Sequence, residues 1–596
     1  MTAQYAIGID LGTTNNALAY ASLSEETPQV QLLTIPQLTA PGNVEERSLL
    51  PSFLYLGTEA DAKAKSFDLP WERGREFAVG ELARRQAAEV PTRTVAAAKS
   101  WLAHSLVDRR QPILPWNAPS DVPKISPLEA SQRYIEHVVA AWNAAFTDAP
   151  LAEQHVVLTV PASFDAAARE LTREAALAAG LPDHFVLLEE PQAAVYAWLA
   201  DTGDRWRRQL QVGEVLLVCD VGGGTTDFTL ISVTEEQGEL ALRRMAVGNH
   251  ILVGGDNMDL TLAHFVAGAF AEKGVQLDPW QSVALWHSCR AAKEALLAHE
   301  GPAKHPVAVL GRGSKLIKGT VSVDVERDAA AELLLEGFFP FCAVTDEPAR
   351  RRASGFKELG LPFETDTAIT RHLAGFLRAH GGEGGAVRPT HVLFNGGVFK
   401  STALRNRLFD VVAGWFAGEA PPQGLSGNED LDYAVARGAA YYGFAKQGKG
   451  IRIRGGTARS YYVGIETAGL AIPGAPRPLR ALCVVPIGME EGTETDVPSD
   501  EIGLVVGEPA QFRFFSSAVR KDDQPGALLS SWSEDELAET DPLTASLPPT
   551  DSAQEGYVPV RFHSKITELG MFELWCQSAK SDDRWKLEFS VREDAE

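Results

Sequence analysis

Short apolar runs closed by Gly, Pro or Asp alternate with segments of helical periodicity over the first three-quarters of the chain. Two of these runs share one pattern. Val215 to Cys219 is apolar and ends in Asp220; a Gly222-Gly223-Gly224-Thr225 turn follows, and Thr226 to Ile231 leaves as a second strand. Tyr5 to Ile9 ends in Asp10; Gly12-Thr13-Thr14-Asn15 turns the chain, and Asn16 to Tyr20 leaves. Each reads as an antiparallel strand pair. Glycine lets the backbone approach a ligand closely, and successive N–H groups in such a turn make an anion cradle. A carboxylate at the strand end suits hydrated Mg²⁺. One copy alone is equally an ordinary glycine hairpin. Duplication points to two related lobes facing a nucleotide, and no Gly-Lys-Ser/Thr follows, so neither is a Walker loop.

The same reading predicts a strand at Leu50–Leu56, a short strand at 77–80 leading into a helix over 81–88, and a loop over 111–127 with a helix over 128–146. His155 to Val160 is a strand stopped by Pro161, and Asp165 suits the N-cap of a helix running to Leu177, stopped by Gly180. A strand at 185–188 meets Glu189-Glu190-Pro191. Pro191 is expected to keep Glu190 out of the helix, which runs from Gln192. Glu190 then stands at a strand-to-helix junction, where α/β sheets bind ligands; a solvated loop acid is the other reading. Lys99, in an otherwise apolar stretch, reads by itself as a snorkelling surface residue. Gly254-Gly255 opens a helix over 258–270, and 281–298 is helical. Helical stretches fill 323–380, with a polar break at 345–353 where Arg350-Arg351-Arg352 is a solvated face. Asn395-Gly396-Gly397 closes a strand begun at His391, a helix starts at Ser401, and another runs from Asp432 to Tyr442.

Near residue 447 the helical pattern stops and strands with Gly/Pro turns take over. Trp585 to Arg592 alternates strictly and reads as one strand with one buried face, while 521–556, acidic and Pro/Ser-rich, reads as an exposed loop. The 596 residues suit roughly four domain-sized units. A net charge of −24 repels polyanions and argues against nucleic acid or an anionic membrane as partner. Five scattered cysteines read as reduced core residues. With no basic-then-apolar leader and no bilayer-length apolar run, the expectation is a cytoplasmic protein.

In order along the chain, Ile7–Asn16, Lys99 after an alanine run, Val160-Pro161-Ala162, Glu190-Pro191, Asp220–Asp227, Gly254-Gly255-Asp256, Gly396-Gly397 and Ala434–Ala440 resemble the seventy-kilodalton heat-shock chaperones of the DnaK type. The chain looks like a divergent, bacterial-like member. Val463-Gly464-Ile465-Glu466-Thr467 is similar to the start of that family's peptide-binding β-sandwich. The resemblance implies an actin-like α/β ATPase of two duplicated lobes over 1–447, a linker over 448–459 and a β-sandwich over 460–596. It implies ATP or ADP with Mg²⁺ as cofactors, a client polypeptide, a J-domain co-chaperone and a nucleotide-exchange factor. Catalysis would fall to Lys99, Glu190 and Asp227, with Asp10 and Asp220 orienting Mg²⁺ through water. Gly12, Thr13, Thr14, Asn15, Gly222, Gly223, Gly224, Thr225, Gly254, Gly255, Lys293, Gly396, Gly397, Lys400 and Asp432 would hold the nucleotide, and Pro161 with Arg169 would relay its state between domains.

Four departures qualify this. The base-reading helix keeps Lys293 but carries Arg290, Glu294 and Leu297, and Lys400 replaces a stacking arginine. The linker Ile451-Arg452-Ile453-Arg454 reverses the family's acidic charge. The stretch from Phe338 to His380 has no counterpart. The family's helical lid is not found before Glu596, and Gln511 falls where an apolar groove wall belongs. A nucleotide-holding scaffold or exchange-factor-like partner, without a hydrolytic cycle, is the alternative reading, and a small-molecule kinase of the same fold a more distant one.

Overall fold

The computed structural model describes residues 3–589 apart from 105–106, 117, 237–238, 250, 311–319, 350–363, 382–384, 426–429, 450–455, 458, 467–478, 491, 506–508, 547–556, 568–571 and 582. Two of its sheets are built alike. In the first, β1 (Tyr5–Leu11) pairs antiparallel with β2 (Asn15–Ser22), which pairs with β3 (Gln31–Leu32); on its other side β1 runs parallel to β4 (His155–Val160), and β4 to β5 (Val186–Glu189). In the second, β6 (Val215–Val221) pairs antiparallel with β7 (Thr226–Glu236), and β7 with β8 (Glu239–Val247); β6 runs parallel to β9 (His391–Asn395), and β9 to β10 (Gln423–Gly424). The orders β5-β4-β1-β2-β3 and β10-β9-β6-β7-β8 therefore superpose in direction, with Asp10 and Asp220 at matching strand ends. The sequence repeat is a topological repeat.

The sheets meet through two helices, α3 (Glu190–Thr202) and α6 (Ala434–Phe444). Helix α6 packs on β1, β2 and β4; α3 packs on β6, β7 and β9; and the two helices pack on each other. That approach needs glycine. A Cβ on Gly438 would fall 1.7 Å from the Ala193 carbonyl oxygen of α3, and one on Gly8 would fall 2.3 Å from that of Ala436. Gly438→Ala is expected to cost about 1–3 kcal/mol by forcing the helices apart. A urea melt within 0.5 kcal/mol of wild type, on the order of ordinary surface substitutions, would contradict this packing account.

After residue 459 the described chain forms two antiparallel sheets. Tyr461, Val463, Leu482, Phe512, Phe514 and Leu543 from one share a core with Val560, Phe562, Leu574 and Cys576 from the other. Ala166 of α2 (Ala166–Ala178) belongs to the same core, so this part rests on the first sheet's layer. Arg109 pairs with Asp541 across the contact, both buried, and Arg459 Nη2 donates to Asn249 Oδ1 at 3.4 Å.

Several local expectations change. Trp585–Arg592 is no single strand. Residues 584–586 pair with Phe572–Ser578 in one sheet and 588–589 with Ala538–Ser546 in the other, the buried Leu587 carrying the chain between them; 590–592 lie outside the described residues. The acidic 521–556 stretch contains the strand Ala538–Ser546, paired with Pro509–Ser517. Its alternation of buried and exposed positions, with Asp541 and Leu543 inside, was hidden by acidic composition. Residues 323–326 belong to a strand, Thr320–Glu326, in a hairpin with Lys304–Leu310. The expected strand at 50–56 is two short strands, Leu50–Pro51 and Leu54–Leu56. Helix α3 starts at Glu190 rather than Gln192, because a proline second in the first turn loses no intrahelical hydrogen bond. The linker residues 451–454 and Arg350–Arg352 lie outside the described residues. Gln511 is exposed on its strand. All five cysteines are free, Cys342 half-buried and the others buried. No helix among the described residues is long and apolar enough to cross a membrane.

Candidate functional site

The matching strand ends open onto one cleft of about 710 Å³ between the two sheets. Asp10, Gly12, Thr13, Thr14 and Asn15 line it from the first hairpin, and Asp220, Gly222, Gly223 and Thr225 from the second. Lys99, Glu190, Gly255, Lys293, Gly396, Gly397, Lys400 and Asp432 complete the predicted set. Of the nominated nucleotide and catalytic residues, Gly224, Gly254 and Asp227 do not line it. Gly254 serves a close approach instead: a Cβ there would fall 2.6 Å from the Gly223 carbonyl oxygen, and Gly255 and Asp256 donate their backbone N–H to the Gly222 and Gly223 carbonyls at 2.9 and 2.7 Å. The N-terminus of α4 (Gly255–Glu272) thereby anchors the second turn. Gly224 faces Thr13 and Ser100, and Asp227 lies buried as the register partner of Asp220 on β7.

Lys99 is buried, not a surface lysine. It lies on the short helix α1 (Ala98–Leu102), whose preceding residue Ala97 has φ +54°. Its Nζ pairs directly with Glu190 Oε1 at the start of α3. Burial raises Glu190 to about 8, with Asp10 and Asp220 adding to the rise and Lys99 opposing it. Burial likewise raises Asp220 to about 7 and lifts Asp10. Burial alone would depress Lys99, but Glu190, Asp10 and Asp220 together outweigh it and hold the ammonium above its ordinary value. Three carboxylates crowd one cation. That is an environment short of positive charge, and its donors are hard oxygens. No cluster of three or more His, Cys, Asp or Glu able to cage a metal occurs among the described residues. Asp10 and Asp220, one at each strand end on the cleft, fit Mg²⁺, which keeps its waters and takes one or two carboxylates plus phosphate oxygens.

Gly396 has φ +84°, and a Cβ there would meet the Val221 carbonyl oxygen at 2.2 Å, so only glycine brings this third turn against the strand of Asp220. At the end of the cleft lined by Arg290, Lys293 and Lys400 the cations are already engaged. On α5 (Pro279–Leu297), Arg290 Nε donates to Asp259 at 2.8 Å and its Nη2 to Asp256. Lys293 Nζ pairs with Asp259 at 2.6 Å and donates to the Gly255 carbonyl at 2.9 Å. Lys400 pairs with Asp432. Asp256 and Asp259 were not nominated, although their three-residue spacing on a helix beside a basic helix was a readable signal. Glu81 and Arg84, ion-paired at 2.7 Å, close the opposite rim with Arg47; nothing in their local pattern marked them.

Of the proposed relay, Pro161 ends β4 and Arg169 Nη2 pairs with Glu189 at 2.8 Å. Arg244 also pairs with Glu189 and donates to the carbonyl of Gly456. Adjacent residues thus face two ways: Glu190 meets Lys99 in the cleft, and Glu189 meets the arginine that holds the chain just before the β region. Neither Glu189 nor Arg244 was nominated.

Residues 70–327 match the family model described as Hsp70 protein. The chain is 33% identical over 276 residues to the chaperone protein HscA homolog of Actinobacillus pleuropneumoniae serotype 5b, and 33% identical over 274 residues to the chaperone protein HscA of Photorhabdus laumondii. Each match covers 44% of this chain and 37% of the relative. The HscA of Pectobacterium carotovorum is 30% identical over 303 residues, 48% of this chain and 41% of that protein. The matched stretch thus spans well under half the length of these relatives.

Proposed function

Because the chain belongs to the DnaK-type Hsp70 family, we propose that it is an ATP-hydrolysing chaperone. In this reading an actin-like pair of lobes over 1–447 couples nucleotide state, through 448–459, to binding of an unfolded or dedicated client by a β-sandwich over 460–596. J-domain and nucleotide-exchange partners belong to the same proposal. The observation that carries it is the buried Lys99–Glu190 pair set between Asp10 and Asp220 at the ends of duplicated hairpins.

The division of labour follows from phosphoryl-transfer physics, in which positioning and charge neutralisation do most of the catalysis. Thr13, Thr14 and the Gly222–Thr225 turn cradle the β- and γ-phosphates. Mg²⁺, when bound, would be held by Asp10 and Asp220 through its waters and would neutralise phosphate charge. Lys99 and Glu190 orient the attacking water, and Asp227, the register partner of Asp220 on the neighbouring strand, would assist. The Glu189–Arg244–Gly456 chain supports a route from the cleft to the β region.

A scaffold without a hydrolytic cycle has one observation in its favour: Arg290 and Lys293 are held by Asp256 and Asp259 rather than left to read a base. Calorimetric titration of Mg·ATP and then Mg·GTP into nucleotide-free protein tests the binding that both readings share, and single-turnover hydrolysis separates them. A micromolar or tighter Kd for ATP, about −8 kcal/mol or better, with GTP weaker, is the expected result. Absence of binding by either nucleotide would retire both readings of the cleft, and binding without hydrolysis would leave the nucleotide-holding scaffold.

A further inference from the structure

Asp10 and Asp220 each receive a hydrogen bond from the parallel strand beside them, at the same place in the repeat. In the second sheet Asp220 is the register partner of Asn395, whose Nδ2 donates to Asp220 Oδ2 at 2.7 Å. In the first sheet Ile9 pairs with Leu158, so Thr159 falls beside Asp10, and its Oγ1 donates to Asp10 Oδ1 at 3.1 Å. Thr159 and Asn395 are both buried, at 0% and 2% exposure. In each lobe one carboxylate oxygen is occupied and the other is left over. On Asp220 the spare oxygen is Oδ1, and the next residue keeps its surroundings clear: a Cβ on Gly396 would stand 2.7 Å from it.

Asn395 has a second feature. Its own Oδ1 is buried with no hydrogen-bond partner, although the residue lines the cleft. An orphaned amide carbonyl in a polar site is costly unless something donates to it. A water in a divalent cation's shell is a strong donor. An amide also adds no charge to a site where three carboxylates already crowd one lysine, whereas a further aspartate would.

We infer that Asn395, with Thr159 as its counterpart in the other lobe, is a positioning residue that fixes which oxygen of the hairpin aspartate faces the cleft. Asn395 additionally offers its Oδ1 to the water shell of a divalent cation held there. This rests on the nucleotide-site reading above and assigns no chemical step to Asn395. Outer partners of this kind set carboxylate orientation and weigh heavily in metal affinity.

The test compares Asn395→Val with Asn395→Thr in the full chain. The two replacements are near isosteres, and threonine keeps a donor, as the first lobe does. Nucleotide affinity is measured calorimetrically at graded Mg²⁺ and in EDTA. Asn395→Val is expected to raise the Mg²⁺ concentration needed for half-maximal tight binding by about 10–100-fold, with affinity in EDTA unchanged within about twofold and Asn395→Thr recovering most of the loss. An Asn395→Val protein with wild-type Mg²⁺ dependence would overturn the inference, as would an equal loss with and without Mg²⁺. Should Asn395→Val not fold, Thr159→Val read the same way decides the matter. A wild-type protein whose nucleotide affinity ignores Mg²⁺ would also overturn the inference, whereas one that binds no nucleotide would overturn the nucleotide-site reading itself.

Discussion

Lys99→Ala is expected to lower single-turnover ATP hydrolysis by at least about a hundredfold, the scale on which one preorganised charge-stabilising group acts, while Mg·ATP affinity stays within a few-fold. The two halves of this expectation come from different parts of the cleft. The phosphate turns are backbone features anchored elsewhere: Ser52 Oγ donates to the Gly12 carbonyl at 2.6 Å, and α4 donates to Gly222 and Gly223. Nothing in them depends on Lys99. The ammonium is instead the cation closest to Glu190, with Asp10 and Asp220 acting on it from the hairpin ends. Without it, Glu190 loses the partner that opposes its upward shift, and the ammonium proposed to orient a water against the γ-phosphate is gone. Glu190→Gln, which keeps shape and removes charge, should reproduce most of the loss. Rapid-quench measurement of one turnover separates this from slow product release. Hydrolysis at the wild-type rate in Lys99→Ala would remove Lys99 from the mechanism, and a drop in nucleotide affinity matching the drop in rate would make it a binding residue.

What could be read in the sequence, and what could not, divides by the range of the interaction. The hairpins, the N-cap at Asp165, which accepts from Ala168 N–H at 2.7 Å, and the stop at Gly180 are local, and their residue types announce them. The shared order of the two sheets was foreshadowed because duplication repeats a local pattern. By contrast, Lys99 by local pattern alone is a surface lysine; only its partner on a distant helix makes burial tolerable. The engagement of Arg290 by Asp256 and Asp259 is likewise a pairing between helices, so the composition of the helix Pro279–Leu297 shows a departure from the resembled family without showing where its charge goes. The acidic residues of strand Ala538–Ser546 hide it, because Glu and Asp are depleted in strands. Yet Asp541 is buried by a salt bridge to a residue of another segment. Leu587, apolar in an alternating run, gave no sign that the chain changes sheets there.

That salt bridge gives the second large effect. Arg109 and Asp541 lie 432 residues apart, and their side chains are 1% and 4% exposed. The Arg109 guanidinium also donates to the Leu102 carbonyl at 3.2 Å, at the end of the helix that carries Lys99. Removing one partner of a buried pair leaves the other charge stranded, at a cost of about 3–5 kcal/mol. Asp541→Ala can escape that cost by separating the β region from the first lobe, letting water reach Arg109. Expected results are therefore a larger radius of gyration in solution scattering, faster proteolytic cleavage between residues 447 and 459, and nucleotide affinity close to wild type. The paired replacement Arg109→Met with Asp541→Leu should restore compactness, since an apolar pair of similar volume often matches or exceeds a buried ion pair. If Asp541→Ala scatters, melts and cleaves as wild type does, the pair does not hold the two parts together. If instead it lowers nucleotide affinity as strongly as it loosens the contact, the strain reaches the cleft through Leu102 and Lys99, and docking and catalysis share one element.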